Sequence, residues 1–218
     1  MKKTAISAVV ISLVVGLSIS AAAVPRYGIK AGLTGANQTW EYSNVLGTMN
    51  RNHRTGMVVG AFLDLPRIQG LLLRPEVLYV QKGSQVDVMH TSYAGVPQGT
   101  ITLKDRIDYL SLRATARVKT SAGPLGFYFL GGPRIDLKIG TSSDIDSPEM
   151  ETILDAYKSS VAGVTVGLGL EGALGPKGSL FVEVCYDLDF GEAAKYVGDE
   201  ATLTIDNRAV LVMVGMAF

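Results

Sequence analysis

The sequence predicts an all-β protein: an eight-stranded antiparallel up-and-down transmembrane β-barrel with short periplasmic turns and long extracellular loops. Three observations carry this reading. Past residue 25, side-chain character changes with period two in run after run, and no amphipathic helical period of any length occurs. One face of each run is hydrocarbon, while the other mixes charged residues with glycine. The connections between runs alternate strictly between short and long.

The amino terminus stands apart from this pattern. "MKKTAISAVVISLVVGLSISAAAV" has Lys2 and Lys3, then an apolar run from Ala5 to Leu17, then small residues suited to a signal-peptidase site. Residues 1–23 therefore read as a signal peptide cleaved after Ala23, and 24–218 as the barrel domain. Ser7, Ser12, Ser18 and Ser20 argue against a retained membrane anchor. The exported chain has one cysteine, Cys185, so no internal disulfide forms.

The eight runs follow in order. "YGIKAGLTG" sets Ile29, Ala31 and Leu33 against Gly28, Lys30, Gly32 and Thr34. "GMVVGAFLDL" sets Met57, Val59, Ala61 and Leu63 against Gly60, Phe62 and Asp64. "LLRPEVLYVQKG" sets Leu73, Val77 and Tyr79 against Arg74, Glu76, Val80 and Lys82. "DYLSLRATARVK" sets Leu110, Leu112, Ala114, Ala116 and Val118 against Ser111, Arg113, Thr115, Arg117 and Lys119. "FYFLGGPRIDLKIG" sets Phe127, Phe129, Ile135 and Leu137 against Tyr128, Leu130, Arg134, Asp136 and Lys138. "VAGVTVGLGLEG" sets Val164, Val166, Leu168 and Leu170 against Gly163, Thr165, Gly167, Gly169 and Glu171. "LFVEVCYDLDF" sets Leu180, Val182, Val184, Tyr186 and Leu188 against Phe181, Glu183, Cys185, Asp187 and Asp189. The closing "NRAVLVMVGMAF" has a bulky face, Val210, Val212, Val214, Met216 and Phe218, and a mostly small one.

A soluble sandwich also alternates, so the connections decide between the two. "PRIQG", "SAGPLG" and "GPKG" are short and rich in Gly or Pro. Between them lie long polar segments, about Asn37 to Arg54, Ser84 to Thr102, Thr141 to Ser160 and Gly191 to Asp206, expected as loops. This asymmetry is the outer-membrane barrel pattern. In such a barrel Lys30, Arg74, Arg113, Arg117 and Arg134 face Asp64, Glu76, Asp136, Glu171, Glu183 and Asp187 across a lumen that side chains fill. Buried charges must be paired, so these residues are expected to form a structural charge network. Phe218 then faces lipid at the periplasmic rim and is expected to act as the assembly signal.

The segments "GIKAGLTGAN", "LRPEVLYVQKGS", "IDYLSLRATARVK", "YFLGGPRIDLKIG", "VGLGLEG", "LFVEVCYDLDF" and "NRAVLVMVGMAF" resemble the PorT-like outer-membrane β-barrel family of Bacteroidetes and relatives. The resemblance covers nearly all of residues 27–218 and implies fold and location, with no catalytic residue to carry over.

Formal net charge is zero, so no basic field for nucleic acid is present. Eight strands leave little room for a pore, and the lumen charges deny an apolar carrier its cavity. The expected function is non-enzymatic, envelope structure or loop-mediated binding of an unidentified partner, with outer-membrane lipid and the barrel-assembly machinery as partners and no cofactor. The alternative is a lipid- or peptide-modifying barrel enzyme using the loop histidines His53 and His90. Asp144, Asp146, Glu149, Glu151 and Asp155 are spaced loosely enough for calcium but lack the glycine of a dedicated loop. Ser147, Pro148 and Glu149 read more simply as a helix start, and Cys185 as a buried, unreactive thiol.

Overall fold

The alternation runs through the whole architecture. A computed structural model describes residues 25–42, 48–50, 52–66, 70–91, 97–122, 125–144, 148–175, 178–197 and 202–218; the expected signal peptide lies outside the described residues. The elements are β1 (Arg26–Tyr42), β2 (Thr48–Asn50), β3 (Asn52–Asp64), β4 (Leu71–Thr91), β5 (Pro97–Ala122), β6 (Leu125–Ser143), α1 (Pro148–Asp155), β7 (Ser160–Leu174), β8 (Gly178–Asp189), β9 (Ala194–Val197) and β10 (Thr202–Ala217). Each wall strand pairs antiparallel with the next, from β1 and β3 through β8 to β10. The ring closes where β1 meets β10, in a register running from Gly28 opposite Ala217 to Tyr42 opposite Leu203. Eight strands thus form the wall. The short β2 and β9 are additions that pair with the upper ends of β1 and β10.

Short connections gather at one end. Gly70 and Gly175 take positive φ there, 87° and 72°, a conformation that residues with a Cβ resist. At the other end the strands run much further than expected. β5 is 26 residues long, and β4 continues to pair with it as far as Thr91 opposite Pro97. Of the segments read as long polar loops, the first, second and fourth are therefore mostly strand, whereas the third holds α1. Beyond the hydrocarbon zone the outward positions turn largely polar, while the inward ones stay buried and include apolar residues: Trp40, Ile107, Leu203 and Ile205 are buried, along with Gln38, Ser84, Asp105 and Asn207. The loss of outward hydrocarbon marks where the apolar surface ends, not where the strand does.

That outward hydrocarbon forms a continuous belt. Val210, Val212 and Val214 on β10 and Phe218 just past its end are exposed, as are Leu180, Val182 and Val184 on β8, and Phe129 on β6 stands 64% exposed. Ile29, Leu33, Met57, Val59, Val77, Leu112, Val118, Val166, Leu168 and Leu170 carry the belt around the remaining strands. Monomeric soluble proteins do not leave bare apolar surface of this extent. On β10 the apolar outward set runs from Val210 to Phe218, with exposed Arg208 beyond it. Nine residues at about 3.3 Å each, tilted about 40°, cover roughly 20–25 Å along the barrel axis.

Candidate functional site: a charged lumen beneath an apolar cap

Strand parity sends every second side chain inward, and the lumen is narrow enough that those side chains meet. Each residue expected in the lumen is buried there: Lys30, Asp64, Arg74, Glu76, Arg113, Arg117, Arg134, Asp136, Glu171, Glu183 and Asp187. They fall into two tiers.

The tier nearer the short turns centres on Lys30 and Arg74. Lys30 Nζ lies 2.9 Å from both Glu76 Oε2 and Glu183 Oε1, reaching past β3 on one side and past β10 on the other. Arg74 grips Asp64 through Nε and Nη2, at 2.5 and 3.0 Å, and lies 3.4 Å from Glu183 through Nη1. The planar fork suits this two-point contact, which a lysine cannot reproduce. Arg74 also stacks 3.8 Å from the centre of the Phe62 ring, and Arg117 lies 3.7 Å from that of Tyr128. Tyr128 Oη in turn donates to Glu183 Oε2 at 3.0 Å. Glycine makes room for these rings: a Cβ at Gly169 would overlap Tyr128 Cζ and Oη.

In the second tier Arg134 bridges Asp136 and Asp189 and approaches Asp187 at 3.6 Å. Lys82 Nζ joins Asp136 at 2.7 Å and Asp189 at 3.5 Å. Arg113 meets Asp187 at 2.9 Å, and Thr165 Oγ1 donates to the other Asp187 oxygen at 2.8 Å. Lys82 and Asp189 belong to this network as fully as the residues singled out from sequence. Their inward parity was legible, but both sit at the upper margin of the hydrocarbon belt, where the strands were taken to end.

Above the charges is an apolar core that the sequence reading missed. Trp40, Ile107, Tyr109, Val161, Leu203 and Ile205 from the wall pack with Leu154 of α1 and with Tyr157, Ala193 and Ala194. Lys138 Nζ donates to the carbonyl of Leu154 at 3.2 Å, a cation at the helix carboxyl end where dipole and free carbonyls favour one. Backbone bonds from Lys158 N to Ala193 O and from Ala193 N to Ile205 O tie the cap to β10. α1 begins at Pro148, as the Ser-Pro-Glu sequence suggested.

The remaining candidates are not assembled into a reactive site. His53 is exposed on β3 opposite Ser84, whereas His90 falls further along β4 opposite Gly99, with its side chain outside the described residues. Asp144 is exposed and its carboxylate accepts from the backbone N–H of Lys104 at 3.1 Å. Asp155 is exposed as well; Asp146 and the side chains of Glu149 and Glu151 lie outside the described residues. Among the described residues no group of three or more His, Cys, Asp or Glu is placed to hold a metal ion. Cys185 is buried, 3.4 Å from Glu183 Oε1. Phe218 is exposed at the end of β10, its ring 6.0 Å from Tyr27 and its N–H bonded to the Tyr27 carbonyl at 2.8 Å.

No protein-family model matches the sequence, and no curated protein matches it either. Similar solved structures do exist. Neisserial surface protein A is 16% identical, with 88% of this chain and 95% of that chain covered, at a TM-score of 0.49. The outer membrane protein OprG from Pseudomonas aeruginosa is 12% identical, covers 89% and 96%, and superimposes at 0.47. The E. coli Outer Membrane Protein W is 12% identical, covers 89% and 98%, and superimposes at 0.42.

Proposed function

We propose that this chain is a non-enzymatic outer-membrane protein whose barrel anchors it in the bilayer and whose folded outer cap supplies envelope structure or binds a partner. The observation that carries this reading is the belt of bare apolar side chains that girdles the wall strands. A belt of roughly 20–25 Å suits the hydrocarbon thickness that a tilted strand of nine to eleven residues crosses. The lumen supports an anchor over a pore: most of its cations and carboxylates are paired with one another, and the apolar cap lies across one mouth.

Within this reading we assign the chain to the PorT-like family. Its two better motifs, Pro75-Glu76-x-x-Tyr79-x-Gln81-Lys82-Gly83 and Tyr109-Leu110-Ser111-Leu112, lie side by side on β4 and β5. Their polar members have architectural work: Glu76 and Lys82 reach lumen partners, Gln81 Nε2 bonds Tyr79 Oη at 2.9 Å, and Gly83 takes a φ of 141°. These jobs support a motif that marks a barrel rather than a chemistry. Export through a signal peptide cleaved after Ala23, and Phe218 as the assembly signal, complete the proposal.

The test is labelling in intact outer membranes. With Cys185→Ser as background, Leu112→Cys and Val166→Cys are expected to react with a lipid-partitioned maleimide in preference to a water-soluble one. Equal reaction with the water-soluble reagent would place that face in water and refute the anchor. Mass spectrometry of the extracted protein should find its first residue within a few positions of Val24. Deleting the gene and assaying envelope integrity and secretion separates a structural role from partner-directed export.

A further inference from the structure

We propose that the short-turn mouth of the barrel binds a single oxyanion, a phosphate or a carboxylate group. The mouth holds a small cleft of about 20 Å³, partly open to solvent and lined by Arg26, Asp64, Leu72, Arg117, Lys119 and Glu171. Three of these residues are cations, and they converge on one carboxylate. Glu171 lies 3.7 Å from Arg26, 3.2 Å from Arg117 and 3.3 Å from Lys119. Asp64 offers little relief, since both its oxygens are held by Arg74 and Arg117 comes no nearer than 3.6 Å.

The second tier of the lumen is arranged differently. There Lys82 and Arg134 share Asp136 and Asp189, and Arg113 has Asp187. The positive excess is therefore local to the mouth. Arg117 is 4% exposed and its Nε has no hydrogen-bond partner; Arg113 Nη1 and Arg134 Nε in the second tier are likewise unpartnered, but of the three residues only Arg117 lines the cleft. An unpaired guanidinium N–H on a residue that lines the cleft is a group that an anion seated there would satisfy. Guanidinium and ammonium donors together match the oxygens of phosphate or carboxylate, and partial burial strengthens the attraction relative to bulk water.

The chain also makes room for Lys119 to take part. A Cβ at Gly126 would collide with Lys119 Cε and stand 2.8 Å from its Nζ. Lys119 on β5 thus crosses the bare backbone of β6 to reach Glu171 on β7, whose register partner is Gly126. The lining side chains face the lumen axis and not the apolar belt, so a solute, or a group on a ligand entering along that axis, meets Arg26 and Lys119 first, with the buried Arg117 behind them.

Naming that end periplasmic rests on the proposed function, but the site itself needs only the folded barrel, and its test is run in uncharged detergent micelles. The full mature chain, labelled with nitrogen-15, is titrated with inorganic phosphate and with acetate at ionic strength held constant by chloride. The Arg117 Nε–H resonance is expected to shift saturably with one or both. Lys119→Gln should weaken the response at least fivefold with the amide spectrum otherwise retained. Gly126→Ala, which displaces only the flexible end of Lys119, should weaken it as well. Lys104→Gln, at the opposite end, should not. Nanodiscs of phosphatidylcholine and of phosphatidylglycerol separate the two sources of phosphate. Both lipids carry a phosphodiester, so a response kept in both identifies a solute site, one lost in both relative to micelles identifies the same site filled by lipid phosphate, and one lost only in phosphatidylglycerol at matched salt identifies filling by an anionic headgroup. A non-saturating shift, one reproduced by chloride alone, or an affinity unchanged in Lys119→Gln overturns the proposal.

Discussion

Replacing Gly169 by alanine tests the packing of the lumen at one point. The added methyl would occupy the space of the Tyr128 ring, so that ring must leave its seat. Three losses follow. Forcing a methylene-sized group into a filled interior costs about 1–3 kcal/mol. The Tyr128 hydrogen bond to the Glu183 carboxylate, 3.0 Å long, contributes about 1.5–3 kcal/mol as a bond to a charged group. The Arg117 guanidinium, 3.7 Å from the ring centre, loses a contact of about 0.5–2 kcal/mol. These terms overlap, because one movement causes all three, and the expected total is about 3–5 kcal/mol. Tyr128→Phe keeps the ring and removes only the hydroxyl, so it should cost about 1.5–3 kcal/mol. Gly131→Ala is the control: its Cβ would stand 3.6 Å from Thr165 O and 3.8 Å from Val166, ordinary contacts that cost nothing. Urea unfolding in lipid vesicles, followed by fluorescence, gives the three values. If Gly169→Ala and Gly131→Ala lose equally little, Tyr128 is not seated against Gly169 and the described packing is wrong.

Leu112→Arg or Val166→Arg should cost about 2–4 kcal/mol in the same assay, since an arginine near the bilayer midplane has no partner there; an unchanged unfolding midpoint would remove these positions from lipid. Arg113→Met should cost about 3 kcal/mol by leaving Asp187 with Thr165 at 2.8 Å and Arg134 at 3.6 Å, and a second substitution, Asp187→Asn, should restore part of the loss. Trp40→Ala should cost about 3–5 kcal/mol and speed amide exchange in α1 and β9 while the belt strands stay protected. Exchange that rises evenly through the whole barrel would mean that the cap is not a separate packing unit.

How far the sequence could be read depends on which periodicity each feature uses. Inward and outward faces were legible along all eight wall strands because parity is local: Arg113 between Leu112 and Ala114 needs no knowledge of its neighbours in space. Partners were not legible. Lys30 meets Glu183, 153 positions away, only because the ring closes, and no local signal carries that. The upper barrel was missed for a different reason. Gln38 and Trp40 alternate with Thr39 and Glu41, and Leu203 and Ile205 with Thr204 and Asp206, so the period persists where the outer face becomes polar. Taking hydrocarbon on the outside as the mark of a strand truncated β1, β4, β5 and β10 at the edge of the belt and hid the core beneath the cap. The start of α1 could be read because a proline at the first helical position is a local rule.

The placement of Lys30 also constrains the order of assembly. It sits on the first strand of the ring, and its two carboxylates come from β4 and, across the closing seam, from β8. Until β1 meets β10 the Glu183 half of that contact does not exist, and a lone charge held away from water costs several kcal/mol. An open sheet of these eight strands must therefore keep its concave face hydrated. Water leaves the lower lumen only as the seam zips, so that closing the ring, neutralising its interior and drying it are one cooperative event rather than three.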